Sequence, residues 1–143
     1  MMTHGPPLGI LDAVRTGDHV GCEHLLRAVQ RCKPKLHCFG HIHEGWGAQL
    51  VQWEEGDELD IRPEAHVKQP NVKQPTEIDI DQEMTSVNKA AYIDSTKGSE
   101  LVVRPGKDTL MVNASIMTVA YQPWNKPFVV DIDLEKGRMR EIV

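Results

Sequence analysis

Cysteine is scarce in this chain: Cys22, Cys32 and Cys38 are the only three in 143 residues. An odd, sparse set builds no disulfide framework and points to a reducing compartment. No apolar run approaches the ~20 residues needed to cross a bilayer. The opening residues, Met-Met-Thr-His-Gly-Pro-Pro, hold neither the basic nor the apolar stretch of a secretory leader. The expectation is a cytoplasmic protein with no membrane contact. Positive charge is also in deficit, with 16 Lys and Arg against 21 Asp and Glu. A nucleic-acid backbone, which needs a basic face, is therefore not the expected partner. A small phosphoester remains open, because bound metal ions can supply the positive charge. What is present suits one folded domain: hydrophobic residues make up 40%, enough to build a core.

From Gly21 the pattern is helical. Cys22, Leu25, Leu26, Val29 and Cys32 recur at spacings of three and four, the period of one helix face. Pro34 ends the run. Leu36 to Phe39 reads as a short strand, Gly40-His41-Ile42-His43-Glu44-Gly45 as a loop, and Ala48 to Trp53 as a second strand. Residues 54–82 are acidic and punctuated by proline, and Val67-Lys68-Gln69-Pro70 recurs as Val72-Lys73-Gln74-Pro75. They read as a flexible, solvated insertion loop. Met84 to Tyr92 suggests a short helix. Strands are expected over Thr109 to Val112 and Phe128 to Leu134, with a turn at Lys136-Gly137 and a closing strand from Met139 to Val143. The fold class is α/β, with most of the sheet in the second half.

His41 and His43 form an H-x-H pair. On an extended backbone, residues two apart share a face, so both imidazoles can meet one ion or two adjacent ions. The alternative is a surface pair on a strand end. His4 lies in Thr3-His4-Gly5-Pro6-Pro7, where the prolines restrict the backbone. Asp12 and Asp18 read as solvated or helix-capping residues. Cys38 reads as core, and His24, His37 and His66 as helix-face, strand and loop residues without partner spacing. Trp46 reads as a pocket wall or a packing residue.

The stretches THGPPLGILD, VGCEHLLRAVQRCKPKLHCFGHIHEGWG and LMVNASIMTVAYQPWNKPFVVDIDL resemble the calcineurin-like metallophosphoesterase superfamily. The likeness is strongest to its metallophosphoesterase domain-containing subgroup, especially the fungal members. It covers most of residues 3–53 and 108–134. It implies one partial domain over residues 1–143, the C-terminal half of a four-layer α/β/β/α sandwich with a mixed sheet. It further implies metal-dependent hydrolysis of a phosphoester, with a phosphodiester as substrate. By position, His4 and His41 would share one metal and His43 would bind a second. Glu44 would support a ligand histidine, and Asn113 would contact substrate. The cofactor implied is a divalent transition metal (manganese, iron or zinc), as a binuclear pair in the complete site.

The D-x-H, G-D-x-x-D and G-N-H blocks of that superfamily, which supply the carboxylate ligands, do not occur in order here. At most one weakly held ion and little turnover are then expected of this chain. Two further readings are a truncated, non-catalytic fragment and a metal-binding or interaction module that keeps the three histidines. Sheet edges left bare would favour self-association.

Overall fold

The computed structural model describes residues 1–53 and 75–134. In chain order these form α1 (Glu23–Cys32), β1 (Leu36–Phe39), a 3-10 turn (His43–Gly45), β2 (Gly47–Gln52), β3 (Thr76–Glu77), α2 (Gln82–Asn88), β4 (Ala91–Ser95), β5 (Asp108–Asn113) and β6 (Phe128–Ile132). The elements make a mixed α/β fold, as the sequence predicts.

β5 is the centre of the main sheet, whose order is β1-β5-β2-β3. It runs parallel to β1 and antiparallel to β2, with Asn113 opposite Phe39 on one side and Gly47 on the other. All six of its residues are buried. A strand covered on both faces carries a continuous run rather than an alternating one, and Thr-Leu-Met-Val is such a run. On one face, Phe39, Val51, Trp53 and Met111 pack with Leu26 and Val29 of α1 and with Ile10. On the other, Ala48, Leu110 and Val112 meet Ile93 and Val103, with Phe128 and Val130 packed beside them. Ile93 and Val130 are register partners in a second, two-stranded parallel sheet of β4 and β6. The layers therefore run helix, mixed sheet, small sheet.

α1 forms where its period predicts, but its buried stripe is narrower. Leu26, Val29 and Gln30 are buried, while Cys22 and Cys32 are exposed. Lys33, in the left-handed conformation at φ 42°, closes the helix with its N–H on the Val29 carbonyl, one residue before Pro34. The helix expected over Met84 to Tyr92 is corrected. α2 ends at Asn88, Lys89 caps it at φ 59°, and Ala91 to Ser95 alternate buried and exposed as β4. Within the expected insertion, Thr76 and Glu77 pair with Leu50 and Gln49 of β2. Residues 54–74 and the expected turn and strand after Leu134 lie outside the described residues, as does His66.

β1 also receives the first residues of the chain. The Met1 carbonyl accepts from Cys38 N–H at 3.1 Å, and Thr3 N–H donates to the Cys38 carbonyl at 3.1 Å. This places Thr3 beside His37, a wholly buried histidine. His37 Nε2 lies 2.9 Å from Thr3 Oγ1, which donates to the Gly5 carbonyl at 2.9 Å. Since the hydroxyl proton is committed to Gly5, His37 donates from Nε2. Its other ring nitrogen is buried with no partner among the described residues. Burial first, and the nearby terminal amine second, hold its pKa at about 4.

Stability should accordingly depend on His37. The unfolded chain takes the proton near pH 6.5 and the folded chain only near 4. Stability is thus full above 6.5 and falls by up to about 3 kcal/mol as pH drops toward 4. Urea midpoints measured across this range should show that slope, and His37→Phe should flatten it.

Candidate functional site

The loop between β1 and β2 is not extended. His41 takes the left-handed conformation at φ 72°, and His43 opens the 3-10 turn. The expected extended backbone through the pair is therefore corrected: the chain turns at His41, where Ile42 N–H donates to the Gly40 carbonyl at 2.9 Å. His41 turns toward residue 4, and His43 turns toward the loop after β5.

His4 Nε2 and His41 Nδ1 stand 3.1 Å apart, from positions 37 residues apart in the chain. Their ring centroids are 4.7 Å apart. The two loops are fixed by backbone bonds: Gly40 N–H donates to the His4 carbonyl at 2.9 Å, and Gly5 lies against the His41 ring. His43 Nδ1 lies 2.8 Å from the Thr118 carbonyl, so Nδ1 carries the proton and Nε2 keeps a free lone pair. The Thr118 to Gln122 turn is closed by Tyr121 N–H on the Thr118 carbonyl and by Thr118 N–H on the Gln122 carbonyl, both at 2.8 Å. Tyr121, itself left-handed at φ 57°, meets the His43 ring edge to face at 5.4 Å.

Asn113, at the end of β5, is wholly buried. Its amide donates to the Ile42 carbonyl at 2.9 Å and to the Leu11 carbonyl at 3.0 Å. Its side-chain oxygen accepts from Ser115 N–H at 3.1 Å. Substrate contact through this group is not what the geometry offers: both amide protons are committed to holding the loops. Glu44 is exposed and bonds neither histidine. Gly45 allows the close approach of the two loops, since a Cβ there would run into the Leu11 carbonyl. Trp46 donates from Nε1 to the Lys126 carbonyl at 3.0 Å and stacks on Phe128. Cys38 is half-buried, and burial pushes its thiol pKa up, the opposite of an activated nucleophile.

Asp12 is a further correction. It is neither solvated nor a helix cap but has no exposed surface. Its Oδ2 accepts from Gly9 N–H at 2.9 Å and Gly21 N–H at 2.8 Å, and its Oδ1 lies 2.6 Å from His19 Nδ1. No periodicity marks this pair. The only sequence hint was a carboxylate in a glycine-rich loop, a residue type that accepts from backbone N–H groups.

Two imidazole nitrogens bound to one ion at about 2.1 Å, with octahedral to tetrahedral angles, stand about 3.0–3.4 Å apart. The spacing of His4 and His41 falls in that window. The donor set is nevertheless incomplete. Such ions take four or more ligands, and among the described residues no three His, Cys, Asp or Glu side chains gather closely enough to hold a metal. The described residues alone do not make a metal centre.

A helix and two sheets in layers, with His4 and His41 paired from two loops at the sheet's end, define an α/β protein. No family model matches the chain. Metallophosphoesterase domain-containing protein 1 of Homo sapiens and that of Mus musculus are each 34% identical over 134 residues, 92% of this chain and 24% of the relative. A UPF0046 protein of Caenorhabditis elegans is 52% identical over 48 residues, 33% of this chain and 12% of that protein. The mammalian likenesses support a relationship to the metallophosphoesterase family, phosphoester hydrolases that in general use divalent metal. The chain spans about a quarter of the length of the mammalian relatives. No helix among the described residues is long and apolar enough to cross a membrane.

Asn113→Ala would leave one buried carbonyl, one part-buried carbonyl and one buried N–H without their partner. It should cost about 2–4 kcal/mol in urea unfolding and speed amide exchange across residues 40–46.

Proposed function

We propose that this chain is the histidine-bearing, C-terminal half of the phosphoesterase domain of a cytoplasmic, metal-dependent phosphodiester hydrolase. His4 and His41 contribute two ligands to one ion, and His43 contributes Nε2 to a second. The carboxylate ligands come from sequence outside these residues. The observation that carries the reading is the 3.1 Å approach of His4 and His41 across 37 residues. A contact of this kind brings together two exposed groups that hydrophobic packing does not require to meet. A paired divalent metal supplies charge neutralisation at the phosphoryl oxygens and a nucleophilic hydroxide. This chain's own part is to hold imidazoles in fixed tautomers, which for His43 is set by the Thr118 carbonyl.

A second reading is a metal-binding module without turnover. It is favoured by the absence, among the described residues, of a third ligand beside His4 and His41.

The two readings separate in one experiment. The purified chain is titrated with manganese or zinc while histidine C–H resonances are followed, and the same residues joined to the remaining sequence of a metallophosphoesterase relative are assayed on bis(p-nitrophenyl) phosphate. The hydrolase reading expects metal-dependent nitrophenolate release from the joined protein that His41→Ala and His43→Ala both abolish. The module reading expects the His4 and His41 resonances to move together, with no release. Absence of both effects removes both readings.

A further inference from the structure

A second concave site lies outside the three histidines. It is a cavity of about 350 Å³ between the Gly9 to His19 loop and the β2–β3 edge, within the size range of small-molecule sites. Asp12, His19, Glu44, Trp46, Gln49 and Glu77 line it. None of His4, His41 and His43 does.

The lining has a consistent polarity. Asp12 takes the proton-bearing Nδ1 of His19, leaving that ring's Nε2 as an acceptor. Gln49 Oε1 is buried without a partner among the described residues. Gln49 stands opposite Glu77 in the β2–β3 ladder, and both residues line the cavity. Glu44 adds a second carboxylate from the 3-10 turn. Among the described residues no lysine or arginine lines the space. Such a lining repels anions and calls for a ligand rich in donors and positive charge. A bare metal ion does not suit it: the lining carboxylates and imidazole do not converge within metal-ligating reach, and the volume is far larger than an ion needs. An apolar contribution comes from Trp46 and Leu11, and an indole favours cations near its ring.

We propose that this cavity binds a small organic cation, a primary ammonium on an apolar stem. The ammonium sits between Glu77 and Glu44, with the stem against Trp46 and Leu11. Asp12 acts as a positioning residue that fixes the acceptor face of His19. This inference does not rest on the hydrolase reading.

The test uses 2-phenylethylammonium and its neutral isostere 2-phenylethanol, at about pH 8 so that histidines of ordinary pKa are uncharged. Binding to the purified chain is followed through the Trp46 indole N–H and Gln49 amide NMR resonances. The cation should give a saturable shift that weakens with salt, and the alcohol should bind about tenfold more weakly or worse. Glu77→Gln, a shape-conserving change on an exposed strand, should weaken the ammonium by about fivefold and leave the alcohol unchanged. His4 and His41 resonances should stay in place. Equal binding of the two probes would reduce the site to an apolar cleft and overturn the proposal. So would an unchanged affinity in Glu77→Gln, or shifts confined to the three metal-candidate histidines.

Discussion

The carboxamide of Asn113 is the point on which the site's geometry rests. It stands at the end of a strand buried on both faces and hydrogen-bonded on both edges, so its own position is fixed. From there it spans Leu11 on one loop and Ile42 on the other. Both segments are irregular: isolated bridges at Pro7–Cys22 and Ala13–His19 hold the first loop on either side of Leu11, and neither Leu11 nor Ile42 lies in a strand. A short amide with two donors joins them, at a place where an apolar side chain would leave both carbonyls uncompensated. His41 and His43 flank the Ile42 tether, while His4 is held through its carbonyl by Gly40 N–H at 2.9 Å. The approach of His4 and His41 therefore draws in part on a core group that touches neither ring.

Much of the architecture was legible because it is written in period and punctuation. The strand before the histidine loop, the strand after it, α1 and β5 all lie where apolar spacing, glycine and proline place them. β4 was not legible. Ala91 to Ser95 alternates correctly, but it follows a helical stretch without a glycine or proline between them. The boundary is made by Lys89 in a conformation that sequence does not announce. The extended H-x-H geometry failed for a related reason. His41, not a flanking glycine, adopts the left-handed turn, and L-residues do so only when surroundings enforce it.

The candidate site was legible as a set of residue types and not as a set of roles. His4 and His41 could be named from the motifs that carry them, and the folded chain does bring them together. His43 could be named, but its tautomer depends on a carbonyl 75 residues further on. Asn113 was assigned to substrate by its place at a strand end and belongs instead to the scaffold. Asp12 was assigned to solvent or to a helix cap and is among the most enclosed of the described residues. Short polar side chains in loops earn their function from backbone groups they meet only after folding, and spacing carries no trace of those meetings.

The border of the main sheet and the first imidazole are one mechanical unit. Residues 1–3 lie along β1 as a rudimentary fifth strand, and His4 is the next residue. Any polypeptide that competed for that border would peel this ribbon away and carry the His4 ring out of reach of His41. Occupancy of a sheet margin and integrity of the imidazole pair are thus mutually exclusive or mutually reinforcing, according to whether the newcomer replaces the ribbon or clamps it down.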